Sequence, residues 1–207
     1  MMIRFAVVVL TLMIGLVFWS GGGAAATLDV VGGRLIGASN VDVLGETFDV
    51  QFREGSCAGV FSGCDNPASD FAFQDDQMAF DAAVALEEQV LIDGPLGSFD
   101  TVPGLTNGCD LFPATCFILV PFDVVDAGLS GLFMGSVAVR NQFSLFDNYQ
   151  ARLNLAVTRD SSDDDIQFSF VYAVFTPVPE PSAAILIGGG LIVLSSRTRR
   201  GAAKRRW

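Results

Sequence analysis

The sequence contains no histidine, and its single lysine, Lys204, lies close to the C-terminus. The absence of histidine excludes the common Ser-His-Asp and Cys-His catalytic arrangements, and it excludes metal sites built on imidazole. The absence of lysine from the rest of the chain excludes Schiff-base and Ser-Lys chemistry there. The groups that remain for chemistry are carboxylates, hydroxyls and four cysteines.

Cysteine is also scarce, and its four copies form two pairs of equal spacing. Cys57 and Cys64 are separated by six residues, as are Cys109 and Cys116. This spacing is wider than the roughly two to four residues that separate paired ligands in structural zinc sites. In an oxidising compartment the spacing predicts two local disulfides, and crossed pairings or free thiols are the alternatives.

Basic residues are few in the central part of the chain. Residues 27–176 contain 22 of the 23 acidic residues and only five of the 12 basic residues, so negative charges exceed positive charges by 17. Such a body repels phosphate backbones, which excludes nucleic-acid binding. Its length of about 150 residues suits one domain with its own core. The five cations are Arg34, Arg53, Arg140, Arg152 and Arg159.

Residues 1–26 have the order of a secretory signal peptide. Arg4 is followed by an uncharged apolar run from Phe5 to Trp19 and then by small residues. Ala24 and Ala26 fit a signal-peptidase site, and cleavage after Ala26 would make Thr27 the mature N-terminus. The sequence therefore predicts an exported chain that is processed by signal peptidase, and an uncleaved N-terminal anchor is the alternative.

The segment 177–207 combines a proline motif, an apolar run and a basic end. The motif consists of Val178, Pro179, Glu180, Pro181 and Ser182. Its prolines lack amide protons and restrict their neighbours, so the motif is expected to be extended and accessible. The apolar residues 183–196 are fewer than the roughly 20 of a comfortable membrane span, which predicts a marginal span helped by snorkelling arginines. The cations of the membrane stop, 197–207, are Arg197, Arg199, Arg200, Lys204, Arg205 and Arg206.

This tail resembles the PEP-CTERM sorting tail, which is processed by exosortase, a membrane cysteine protease of Gram-negative bacteria. The resemblance implies that the tail holds the chain in the inner membrane and that exosortase releases it near the proline motif. It also implies an association with exopolysaccharide and biofilm, at the cell surface or outside the cell. The cations would keep the C-terminus in the cytoplasm by the positive-inside rule. A plain membrane anchor with a proline linker is the alternative.

Alternation of apolar and polar residues predicts that the body 27–176 is mostly β. Phe48, Val50 and Phe52 share one face of a strand, and residues 41–44 precede it across a Gly45-Glu46 turn. Residues 152–157 and 166–175 also alternate, and the polar turn between them predicts a second long hairpin. Further strand candidates are 28–31, 34–36, 117–120 and 132–140.

One segment has helical spacing instead. From Asp75 to Ile92 the apolar residues recur every three or four positions, and Asp93-Gly94-Pro95 is a stop signal. The predicted fold is an antiparallel β-sandwich or partial barrel with one inserted amphipathic helix.

Carboxylate clusters are the candidates for chemistry in the body. A glycosidase uses paired carboxylates, and the visible clusters are Asp75-Asp76, Glu87-Glu88 and Asp163-Asp164-Asp165, although adjacent acids are more often part of a solvated face. Calcium prefers hard oxygen ligands, and one turn is rich in them, with a solubilising hairpin turn as the alternative. The candidate calcium ligands are Asp160, Asp163, Asp164 and Asp165.

Together these features predict a non-enzymatic, exported surface or extracellular-matrix protein with no cofactor other than the candidate calcium. The second interpretation is a secreted carbohydrate- or calcium-binding module. A glycoside hydrolase is the third.

Overall fold

The computed structural model describes residues 25–110, 115–126, 128, 131–143, 157–161 and 169–179. The described strands are β1 (Thr27–Val31), β2 (Arg34–Val43), β3 (Glu46–Arg53), β4 (Asp93–Gly94), β5 (Gly97–Ser98), β6 (Thr115–Asp126), β7 (Leu132–Gln142), β8 (Val157–Thr158) and β9 (Ser169–Pro177). The described helices are α1 (Cys57–Val60), α2 (Pro67–Asp70) and α3 (Asp76–Gln89), and a 3-10 turn spans Pro103–Leu105. The mostly β composition predicted from the alternation is confirmed.

Seven of the described strands form one sheet, in the order β1-β2-β3-β9-β6-β7-β8. The pairing of β6 with β9 is parallel, and the other neighbours are antiparallel. The sheet is therefore mixed, and the purely antiparallel arrangement predicted from the sequence is wrong. The cause is the position of β9 between β3 and β6. Because β3 and β6 run in opposite directions, β9 can be antiparallel to only one of them.

The predicted hairpin between residues 152–157 and 166–175 is also wrong for the residues that the structure describes. Val157 pairs with Met134 of β7, whereas β9 pairs with β3 and β6. Alternation shows which side chains share a face, but it does not identify the neighbouring strand. Leu153, Leu155 and Phe168 lie outside the described residues.

The first three strands form two consecutive hairpins near one edge of the sheet. The β2–β3 turn consists of Leu44 and Gly45, one residue earlier than predicted, and Val43 pairs with Glu46 across it. Both turn residues have positive φ, +54° and +89°, which suits a two-residue turn between twisted strands. The predicted alternation in β3 is confirmed, since Phe48, Val50 and Phe52 are buried between exposed polar residues.

Helix α3 lies across one face of the sheet, which we call the helix face. Asp75 caps the helix by accepting a hydrogen bond from the Met78 amide at 2.8 Å. The helix ends at Gln89, a few residues before the predicted stop, and it contacts β2, β6 and β7. Small side chains allow this close approach. The buried helix residues are Ala79, Ala82, Ala83, Ala85 and Leu86.

Residues 55–71 cover part of the other face, which we call the disulfide face because the Cys57–Cys64 bridge lies there. The ring of Phe61 packs edge-on against Phe71 and Tyr172, with centroids 5.1 and 5.7 Å apart. Phe73, two residues after Phe71, packs on the helix face against Phe48 and Phe175. The chain therefore passes from one face to the other between residues 71 and 73.

Strand β9 is buried on both of its faces. Phe170 and Tyr172 pack on the disulfide face, and Val171, Ala173 and Phe175 pack on the helix face. A central strand that carries apolar residues on both sides joins the two halves of the sheet and fixes where the following residues leave it.

Candidate functional site

The first residues of the proline motif lie at the end of the central strand. Pro177 is the last residue of β9 and pairs with Phe48 of β3. The amide of Val178 donates a hydrogen bond to the Thr47 carbonyl at 2.9 Å, and Pro179 is exposed. Glu180, Pro181 and Ser182, the apolar segment and the six terminal cations lie outside the described residues.

Aromatic packing fixes the end of β9 against β3. The ring of Phe175 meets Phe48 and Phe73 with centroids 5.9 and 5.0 Å apart, in edge-on geometry. Such pairs add about 0.5–1.5 kcal/mol each beyond the area they bury. The chain therefore leaves the sheet from a well-packed position, and the motif begins at Val178, directly after the last residue of β9.

The predicted signal-peptidase site lies just before the first strand. Thr27 is the first residue of β1 and pairs with Ser39 of β2, and its own side chain is exposed. Ala26 is half-buried and packs against the core on the helix face. Ala24 lies outside the described residues. Cleavage after Ala26 would therefore leave β1 complete.

The two local disulfides predicted from the spacing are formed. Cys57 and Cys64 have Cα atoms 5.6 Å apart, and those of Cys109 and Cys116 are 5.4 Å apart. All four residues are fully buried. The first bridge closes the segment that covers the disulfide face, and the second ties the loop after the 3-10 turn to the start of β6.

No contact that the structure describes joins the four candidate calcium ligands. Asp160 is exposed and pairs with the guanidinium of Arg159 at 3.4 Å, while Asp163, Asp164 and Asp165 lie outside the described residues. Asp75 serves as the helix cap. Among the described residues, no three acidic or cysteine side chains are grouped as metal ligands would be.

A small cavity lies where β6 and β9 separate. Their parallel pairing ends at Leu119 and Tyr172, and residues 71–73 pass close to this point. The cavity has a volume of about 10 Å³, which is about the space of one water molecule. It is lined by Phe61, Phe71, Ala72, Phe73, Val120, Pro121, Ala173 and Phe175. An apolar cavity of this size offers no room for a substrate.

Several side-chain amides bind the backbone in ways that the sequence analysis missed. Gln89 donates to the Asp42 carbonyl at 2.8 Å and accepts from the Asp42 amide at 3.0 Å. Asn107 donates to the Phe52 carbonyl at 3.1 Å, and the buried Asn141 donates to the Phe99 carbonyl at 2.8 Å. For Gln89 and Asn141 the available signal was an amide near the end of a predicted helix or strand, but their partners are distant in sequence.

No helix within the described part of the chain combines the length and the apolar character needed to cross a bilayer. No family model matches the sequence, and neither a curated protein nor a solved structure matches the chain significantly.

Proposed function

We propose that this chain is an exported surface or extracellular-matrix protein, anchored in the inner membrane by its tail and released by exosortase near Pro179, Glu180 and Pro181. The exit of β9 carries the proposal. Among the described residues, Val178 makes the last hydrogen bond to the sheet, and Pro179 is exposed directly after it. Because β9 ends before the motif, cleavage there would leave the pairing of the central strand intact.

Other features of the body agree with this proposal. The two buried disulfides suit an oxidising compartment, and the excess of acidic residues suits solubility outside the cell. The association with exopolysaccharide and biofilm, the processing by signal peptidase and the absence of enzymatic activity come from the sequence resemblance and the residue types. The closure of the sheet into a sandwich or partial barrel stays a prediction.

The proposal is tested by replacing Pro179, Glu180 and Pro181 with alanine in a host that has exosortase. We expect membrane insertion to be retained and release to be lost, so that full-length protein accumulates in the inner membrane. Immunoblotting of membrane, periplasmic and extracellular fractions measures the outcome. The matched control is Pro95→Ala, which removes an exposed proline from the β4–β5 turn outside the motif.

A second variant separates anchoring from release. Deletion of residues 180–207 keeps β9 complete and should give soluble periplasmic protein that does not reach the surface. If the triple-alanine variant is released to the same extent as the Pro95→Ala control, the motif is only a linker and the tail is a plain anchor.

A further inference from the structure

Leu44 occupies a position that is unfavourable for leucine in two respects. Its φ is +54°, a region that favours glycine and asparagine, and Asn-Gly is the preferred pair for such two-residue turns. Its side chain is also 73% exposed to solvent. The neighbouring β1–β2 turn has glycine at both positive-φ positions, Gly32 and Gly33. Neither the backbone geometry nor burial within the domain explains a leucine at this turn.

The turn that carries Leu44 is fixed rather than frayed. The Asp42 carboxylate accepts a hydrogen bond from the Gly45 amide at 3.1 Å. The backbone of Asp42 is in turn bound by both ends of the Gln89 amide, which ties the end of β2 to the end of α3. Leu44 is therefore presented to the outside in a defined orientation.

Leu44 lies at the end of the sheet from which the tail departs. The carbonyl of Thr47, three residues after Leu44, accepts the hydrogen bond that the amide of Val178 donates at the end of β9. Strand β6 runs parallel to β9, so Val125, which is 53% exposed near the end of β6, lies at the same end. Exposed apolar residues also occur at the opposite end of the sheet, so exposure alone does not distinguish Leu44 from them. The distinction comes from the positive φ of Leu44 and the nearby exit of the tail.

The length of chain between the sheet and the apolar segment is short. Ala183 follows Val178 by five residues, which span at most roughly 17 Å when fully extended. If the apolar run lies in the membrane, this end of the sheet stays within that distance of the bilayer. The neighbouring Asp42 and Glu46 are exposed and acidic, so the surface suits neutral, zwitterionic headgroups better than anionic ones.

We propose that Leu44 is a membrane contact, and that the anchored body rests on the bilayer with this side chain in the interfacial layer. The inference depends on the proposed function, because it requires an anchored tail. One leucine binds lipid only weakly, but a short tether gives an effective concentration of about millimolar, which makes a weak contact significant. Release of the tail then also ends the contact with lipid.

The test uses the chain that begins at Thr27 and keeps its tail, in vesicles of zwitterionic lipid that carry a brominated acyl chain as quencher. Leu44→Trp and Val31→Trp are compared in a background with Trp207→Phe, which removes the natural tryptophan that remains after residues 1–26 are cleaved. Val31 is a matched control because it is 59% exposed beside the turn at the opposite end of the sheet. We expect a blue shift and a loss of emission for the indole at position 44 only.

Equal quenching at the two positions overturns the inference while leaving the anchored tail intact. A blue shift at position 44 that appears in detergent and grows with protein concentration assigns the contact to a second copy of the chain, and also overturns it. A chain that does not remain with the vesicles refutes the anchor, and with it the proposed function. Leu44→Asn gives a separate check: the Tm of the released body should rise, and an unchanged or lower Tm would show that leucine serves folding.

Discussion

Ser169→Asp tests the placement of β9 at the centre of the sheet. Ser169 is fully buried, and its hydroxyl donates a hydrogen bond to the Gly108 carbonyl at 3.2 Å. Loss of this bond costs about 1 kcal/mol, and an unpaired carboxylate buried in its place brings the total to roughly 3–5 kcal/mol. For a domain of this size, a loss of 1 kcal/mol lowers the Tm by about 2–4 °C, so we expect a fall on the order of 10 °C.

Thermal unfolding followed by circular dichroism, together with urea unfolding at constant m-value, measures this effect. Ser39→Asp is the matched control, because the same substitution falls on an exposed strand position opposite Thr27. Ser169→Ala separates the lost hydrogen bond, about 1 kcal/mol, from the buried charge. If Ser169→Asp is as stable as Ser39→Asp, then β9 has one solvent-facing side and is not the central strand.

Two further predictions concern α3 and the N-terminus. Gln89→Met keeps the length of the side chain but removes both hydrogen bonds to Asp42, so the free energy of unfolding, measured with urea, should fall by about 1–3 kcal/mol. The control Glu88→Gln changes an exposed residue and should leave the free energy of unfolding unchanged. Equal values for the two variants would show that the Gln89 contact contributes nothing to stability. Mass spectrometry of the exported protein should find Thr27 at the N-terminus, and retention of residues 5–19 would contradict the predicted signal peptide.

Local patterns predicted the elements of this fold better than its pairing. The alternation of Phe48, Val50 and Phe52 identified β3, and the spacing of Cys57 and Cys64 identified a local disulfide, because each signal involves only neighbouring residues. The helical period likewise identified α3. Its end was misplaced because Val90 departs from helical geometry, directly after Gln89, whose side chain binds the Asp42 backbone, a partner that lies far away in sequence.

Ser169 shows why the pairing of the last strand was not predictable in the same way. The alternation predicted for residues 166–175 places Ser169 on the polar side, between Phe168 and Phe170, yet Ser169 is fully buried. A small polar residue can be buried when a distant carbonyl accepts a hydrogen bond from its hydroxyl, and Gly108 is 61 positions away. For the proline motif, the sequence predicted its accessibility from Pro179 and Pro181 alone. The exit from the middle of the sheet depended on the unpredicted pairing of β9 with β3 and β6.

The position of β9 has a consequence for the time at which the body can fold. Among the described strands, β1–β3 and β6–β7 are joined in the sheet only through β9, which is the last of them in the chain. Until residues 169–177 are available, β3 and β6 each present an unpaired edge, and such edges invite pairing with other chains. The closing contacts are distant in sequence, and contacts of this kind form slowly. A chain that crosses a membrane from its N-terminus would therefore complete its sheet only after nearly all of the body has emerged, and its need for protection from aggregation would be greatest just before that moment.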